Sequence, residues 1–297
     1  MHKIIGLAVL LCAAVAVAAN TQVSPSSFVK ANSYHGRSDG LYQDTTAKGL
    51  VAVSNGTVAQ PIGPTVYEDF TKYGAGKGLS CLIASSGAAC GGATTTVPVR
   101  CTAGDGFSFI REALVTEDIC AVTTAVGLDI SGDQTNNDGS EVNTGMLGAS
   151  GRPFVIGDDP AFYFCATIKI TDVSGSDLLV AGFRRAEAFT ATFDNYNDLA
   201  GIGSVSGDIY LKTILNNAAT TSTDTTDNWA DAATKKLCTF VSGAGVVTYT
   251  IDGVAPTVTA AFTFDDGDPV IPFVHLLHDA DLAETTAITK WEVGYTQ

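Results

Sequence analysis

The sequence predicts an all-β protein, an antiparallel two-sheet sandwich, on three observations. The first is the stretch AFYFCATIKITDVSGSDLLVAGFRR at residues 161–185. Phe162, Phe164, Ala166, Ile168 and Ile170 alternate with Tyr163, Cys165, Thr167 and Lys169. A period of two is that of a strand with one buried face. The second observation is punctuation: GDQTNNDG at 132–139, DVSGSD at 172–177, SGAG at 242–245 and Asp252-Gly253 supply turn residues between short apolar runs. The third is that no long segment repeats with a helical period.

Taken in order, residues 1–19 read as a secretory signal peptide. His2 and Lys3 give a positive start, Ile4 to Ala19 is apolar, and Ala16–Ala18 or Val17–Ala19 offers small residues for cleavage. The expected location is extracellular, with no membrane attachment after cleavage. Residues 20–75 are polar and turn-rich at first, then a β-prone ribbon broken by Pro61 and Pro64. They read as an extended N-terminal arm able to add a strand to a sheet. Asn55-Gly56-Thr57 is both a glycosylation sequon and a favoured hairpin turn.

Residues 76–297 read as the sandwich. Strands are expected at 106–115, 119–130, 139–145, 152–157, 161–171, 177–185, 207–215, 235–242, 246–251, 256–264, 270–277 and 286–296. Residues 161–171 and 177–185 read as a hairpin about the DVSGSD turn. One short helical turn is expected within 221–236, with Asp227 as its cap and Trp229 as its anchor.

Six cysteines follow the leader: Cys81, Cys90, Cys101, Cys120, Cys165 and Cys238. An even number in a secreted chain suggests disulfides, and six allow fifteen pairings. The reading adopted is 81–90, 101–120 and 165–238, with buried thiols as the alternative for Cys165 and Cys238.

The net charge of −15 argues against nucleic acid and anionic membrane partners, which need a Lys/Arg footprint. Glu141, Glu187 and Glu292 stand apart, without the same-strand spacing of a two-carboxylate glycosidase. The expectation is therefore no enzyme. Arg184 and Arg185 are expected to pair with surface carboxylates. His275 and His278, three apart in a strand, point to opposite faces and cannot share a metal. Calcium is the candidate cofactor, with Asp133, Asn137, Asp138 and Asp194 as ligands drawn from oxygen-rich clusters. Asp265–Asp268 is a further cluster of this kind. Trp229, Tyr196 and Tyr210 are the candidate carbohydrate-binding aromatics, whereas Trp291 reads as core.

The segments FVSGAGVVTYTIDG, FTFDDGDPVIPFVHLL and TKWEVGY, with AFYFCATIKITDVSGSD and GFRRAEAF before them, resemble concanavalin A-like (laminin G-like) jelly-roll domains. These occur in viral and phage structural proteins and in secreted surface proteins. The resemblance covers roughly residues 106–297 and carries no catalytic signature. It implies a jelly-roll sandwich whose last strand returns to pair with the first. Two functions follow as expectations. One is a secreted structural subunit that assembles with its own copies into a filament or surface layer through arm exchange. The alternative is a lectin-like carbohydrate-binding module, with or without calcium.

Overall fold

The computed structural model describes residues 127–131, 139–144, 153–188, 190, 192–278 and 285–296, and nine strand segments between residues 29 and 123. Side chains are described from residue 127 onward, apart from 139, 175–177 and 278. The chain divides into two compact units, residues 1–62 and 63–297.

In the first unit, β1 (Val29–Ala31), β2 (Gly40–Asp44), β3 (Gly49–Ser54) and β4 (Thr57–Ile62) form a sheet in sequence order. The β2–β3 and β3–β4 pairs are antiparallel and β1–β2 is parallel. Asn55 lies outside the described residues.

The second unit opens with β5 (Pro64–Asp69), β6 (Ser80–Cys81), β7 (Val99–Ala103), β8 (Phe107–Ala113), β9 (Ala121–Thr123), β10 (Gly127–Asp129), β11 (Gly139–Asn143) and β12 (Phe154–Val155). It continues with β13 (Phe162–Ile170), β14 (Ser176–Arg185), β15 (Leu199–Val205), β16 (Asp208–Ile214) and β17 (Thr221–Asn228). The last strands are β18 (Thr234–Val241), β19 (Val247–Ile251), β20 (Pro269–His278) and β21 (Thr286–Tyr295). Sheet I has the order β19-β18-β13-β21-β10-β9. The free edge of β21 is shared: β10 pairs along Ala287–Ile288 and β5 along Lys290–Gly294. Sheet II runs β17-β16-β15-β14-β20-β11-β8-β7-β6, with β12 on the far end of β20. All pairings in both sheets are antiparallel. This is the all-β two-sheet sandwich that the alternating pattern predicts. Among the described residues no helix is long and apolar enough to cross a membrane.

The core lies between the sheets. Phe162, Phe164, Ala166, Ile168 and Ile170 are each no more than 1 % exposed, and they face Leu179, Ala181 and Phe183 of β14. Trp291 packs on Phe164 with ring centroids 4.4 Å apart. Phe154 stacks on Phe162 at 4.3 Å.

Several elements differ from expectation. β13 and β14 are not a hairpin. β13 pairs with β18 and β21, β14 with β15 and β20, so the DVSGSD segment arches from one sheet to the other. Both strands bring an apolar face to the same core, which side-by-side pairing and facing each other satisfy equally well. β15 was not foreseen: six of its seven residues are buried on both faces, so LAGIGSV has no alternation. The helical turn expected within 221–236, with Asp227 as its cap, does not form: residues 221–228 are β17, the exposed edge strand of sheet II, and Asp227 lies within it. Residues 256–264 make only an isolated bridge, Val246 with Thr263. Their backbone is taken up by loop hydrogen bonds, including Val258 N–H to the Thr225 carbonyl.

β14 and β15 approach closely because glycine lines their contact. A Cβ at Gly203 would sit 1.6 Å from the Leu179 carbonyl oxygen. Gly203→Ala is therefore expected to lower stability by about 1–3 kcal/mol through overpacking, read from the urea midpoint. An unchanged midpoint would contradict this packing.

Candidate functional site

The core-facing alternation of β13 leaves Tyr163, Cys165 and Thr167 on the outer face of sheet I. Register then assembles a surface. Cys165 lies directly opposite Cys238 on β18, and the two form a disulfide. Two positions along, Tyr163 meets Phe240, their rings stacked at 6.0 Å. In the other direction Thr167 meets Lys236. Glu292 flanks Cys165 from β21, and Thr250 flanks Cys238 from β19. Tyr163, Cys165, Lys236, Cys238, Phe240, Thr250 and Glu292, together with Asp252 and Gly253, line an open groove of about 510 Å³.

The groove has an apolar plate and a polar rim. The two rings and the disulfide form the plate. Lys236 Nζ pairs with Glu292 Oε2 at 2.9 Å and Lys235 Nζ with Asp252 Oδ2 at 3.0 Å. Asp252 Oδ1 also accepts the Lys236 N–H at 2.8 Å, which fixes the hairpin that closes one side. Burial and the neighbouring Glu292 raise the Tyr163 phenol above its ordinary value, so it remains a hydroxyl donor. An aromatic body beside a ring of donors and acceptors suits a ligand with one apolar face and many hydroxyls.

A second polar cluster lies under the outer face of sheet II. The loop at 186–198 carries a single 3-10 turn, Phe193–Asn195, that lays Phe193 and Tyr196 over Val180 and Phe273. Beneath them Glu141 is fully buried. Arg184 donates to Glu141 Oε1 through Nε at 2.9 Å and Nη2 at 2.6 Å, and Tyr196 donates to Oε2 at 2.7 Å. Asn143 donates to Oε1 at 2.8 Å. His275 Nδ1 lies 3.7 Å from Oε2, beyond hydrogen-bond reach. Burial alone would push the Glu141 carboxyl up, but the Arg184 guanidinium holds it down at about 2. Sealed from solvent, this cluster organises the fold and offers no surface for a substrate. Arg184 thus departs from expectation by pairing inside. Its neighbour Arg185 is half-exposed and reaches Asp198 at 3.3 Å and Asp268 at 3.6 Å.

Two of the three expected carbohydrate-binding aromatics, Trp229 and Tyr196, are buried. Trp229 is 2 % exposed, in the core, with Nε1 donating to the Ala233 carbonyl. Tyr196 is fully buried on Glu141. Tyr210 is half-buried on β16, with Lys212 Nζ 5.2 Å from its ring centre. These three are not brought together. Among the proposed calcium ligands, Asp133, Asn137 and Asp138 lie outside the described residues. Asp194 is exposed and accepts the Thr220 hydroxyl. Among the described residues no group of three or more His, Cys, Asp or Glu side chains is placed to hold a metal. Glu187 caps the backbone of Asn197 at 2.8 Å, and Glu292 belongs to the groove. Cys81 and Cys101 take opposite positions in the β6–β7 register, and Cys90 and Cys120 lie outside the described residues.

No protein-family model matches the chain, and no curated protein matches it in sequence. Solved structures do. The potassium-bound carbohydrate recognition domain of Emp46p aligns at TM-score 0.45 and 10% identity, covering 63% of this chain and 88% of that one. The exoplasmic/lumenal domain of VIP36, bound to Ca2+ and Man3GlcNAc, aligns at TM-score 0.44 and 11% identity, covering 64% and 83%. A structure from work on botulinum neurotoxin type C and two ganglioside molecules aligns at TM-score 0.40 and 9% identity, covering 65% and 44%.

Proposed function

We propose that this protein is an extracellular glycan-binding β-sandwich module and that the groove on the outer face of sheet I is its contact surface. The observation that carries the reading is the stacked Tyr163–Phe240 pair, half-buried beside Lys236, Asp252 and Glu292. The rings supply a flat apolar surface for the C–H face of a sugar, and the rim supplies hydrogen bonds for its hydroxyls. Glycan-array binding tests it, with the wild-type chain and the Tyr163→Ala/Phe240→Ala variant run with and without chelator. Selective binding is expected, weakened at least tenfold in the variant. Absence of any selective binding, or identical binding by the variant, would overturn the reading. The chelator arm reports separately whether calcium takes part.

One observation favours a second reading as a self-assembling structural subunit. Among the described residues β5 joins sheet I by strand addition to half of one edge of β21. The same segment from a neighbouring copy would fit the same positions, as in other strand-exchange assemblies. Electron microscopy of the chain without its leader distinguishes the two: filaments favour assembly, monodisperse particles the binding module.

A further inference from the structure

The outer face of sheet I does not stop at the groove. Along β13, Thr167 and Lys169 follow Tyr163 and Cys165 on that face, by the alternation of the strand. Register places Lys236 opposite Thr167 on one side and Lys290 opposite it on the other. Residues directly opposite in an antiparallel pair share a face. Lys236 lines the groove, so Thr167 and Lys290 continue it beyond the Lys236 rim, with Lys169 next along. The side chains of Thr167, Lys169, Lys236 and Lys290 are all partly exposed. The flanking strands stand about 4.8 Å to either side of Thr167, and Lys169 lies about 7 Å further along the strand. Three lysines thus surround one hydroxyl.

Charge sets this end of the face apart. Beyond residue 127 the lysines are Lys169, Lys212, Lys235, Lys236 and Lys290, and all but Lys212 sit here. Lys236 is paired with Glu292 and Lys235 with Asp252. Among the described residues Lys169 and Lys290 have no ion pair. Asp129 shares a row with Lys169 across Ala287, but its carboxylate accepts the Ser131 N–H and hydroxyl. The net charge of −15 belongs to the chain as a whole. At physiological ionic strength salt screens exposed charges more than about 8 Å apart, so the nearest groups decide what this face attracts. Two lysines without a carboxylate among the described residues, beside a threonine hydroxyl, suit an anionic group.

Resting on the glycan-binding reading above, we propose that the ligand is an acidic oligosaccharide laid along the strands of sheet I, with one sugar ring on Tyr163 and Phe240 and a carboxylate or sulfate on Lys169, Lys290 and Thr167. Tyr163 and Thr167 are four residues apart on β13, a distance of about 13 Å. One sugar ring cannot touch both, so the aromatic plate and the lysines contact separate units of one chain. The plate supplies affinity for any stacked sugar, and the lysines supply the choice of an acidic one.

Titration calorimetry tests this with oligogalacturonate, sulfated cello-oligosaccharide and neutral cello-oligosaccharide of matched length. At low salt at least one acidic series is expected to bind about tenfold or more tighter than the neutral one, and the margin should close at about 1 M salt. Whichever acidic series shows the margin identifies the group as carboxylate or sulfate. Lys169→Gln/Lys290→Gln should bring the acidic ligand down to the affinity of the neutral one. Lys212→Gln, on sheet II, should leave the margin whole. Neutral binding as tight as acidic would overturn the inference but not the reading it rests on. So would a margin that survives the Lys169→Gln/Lys290→Gln variant, or an equal loss for both classes in it, which is what a purely structural role for the lysines gives. Acidic binding undiminished in Tyr163→Ala/Phe240→Ala would overturn both. If no glycan of either class binds, the glycan-binding reading fails and this inference fails with it.

Discussion

Methionine in place of Arg184 is expected to lower the unfolding free energy by about 3–5 kcal/mol, because it leaves the Glu141 carboxylate buried without its cation. Both side chains are fully buried, so solvent cannot screen the loss. The hydrogen bonds from Tyr196 and Asn143 remain but carry no full charge. Removing both ends of the pair, Glu141→Leu with Arg184→Met, should recover part of the stability: an apolar pair replaces a desolvated ionic one, but Tyr196 and Asn143 lose the acceptor they donate to. The pH dependence carries the same signature. The Glu141 carboxyl is held at about 2 in the folded protein against 4.5 ordinarily. A depressed carboxylate contributes stability that is full above its unfolded value and is lost as pH falls through its folded one. The contribution, on the order of 3 kcal/mol, therefore disappears between about pH 4.5 and 2. Urea unfolding at pH 7 and at pH 3 reads about 2 kcal/mol of it, because pH 3 still lies above the folded value. The account fails here if Arg184→Met shifts stability by less than about 1 kcal/mol.

The second large effect is expected from the disulfide. Cys165 and Cys238 are 73 residues apart in sequence. Opening a loop of that length releases unfolded-chain entropy equivalent to about 4 kcal/mol in the chain-entropy model. The Cys165→Ala/Cys238→Ala variant should lose that much in urea unfolding. The fold should persist, because β13 and β18 are paired at eight positions and not at the cysteines alone. Tyr163 and Phe240 then stay opposite each other, and glycan affinity should change little. A loss below about 1 kcal/mol would contradict the entropic role given to the bridge.

Much of the fold was legible because alternation is a local signal. β13 reads directly from FYFCATIKI, and its buried face is the one the pattern indicates. Pairing was less legible, because it is decided by partners far away in the chain. An arch and a hairpin make the same demands on residues 161–185, and only β18, β20 and β21 distinguish them. Where a strand is buried on both faces, as β15 is, or exposed along an edge, as β17 is, periodicity carries no information.

The candidate site was hidden for a related reason. Reading aromatics one by one favours tryptophan and loop tyrosines, and here Trp229 and Tyr196 fill space inside the protein. The usable signal was register. A bridge between Cys165 and Cys238 in neighbouring antiparallel strands places Tyr163 opposite Phe240 and Thr167 opposite Lys236. The expected cysteine pairing and the outward position of Tyr163 were both readable, and their combination identifies the face. The Glu141–Arg184 pair gave no such signal, since neither β11 nor β14 announces in sequence that a loop will cover it.

The most direct test of the central claim is to map where a glycan touches the protein. Chemical-shift perturbation by the tightest-binding glycan should be confined to the outer face of sheet I, around Tyr163, Cys165, Lys236, Cys238, Phe240 and Glu292. Perturbations centred on Tyr210 and the outer face of sheet II, with those residues unmoved, would contradict the account.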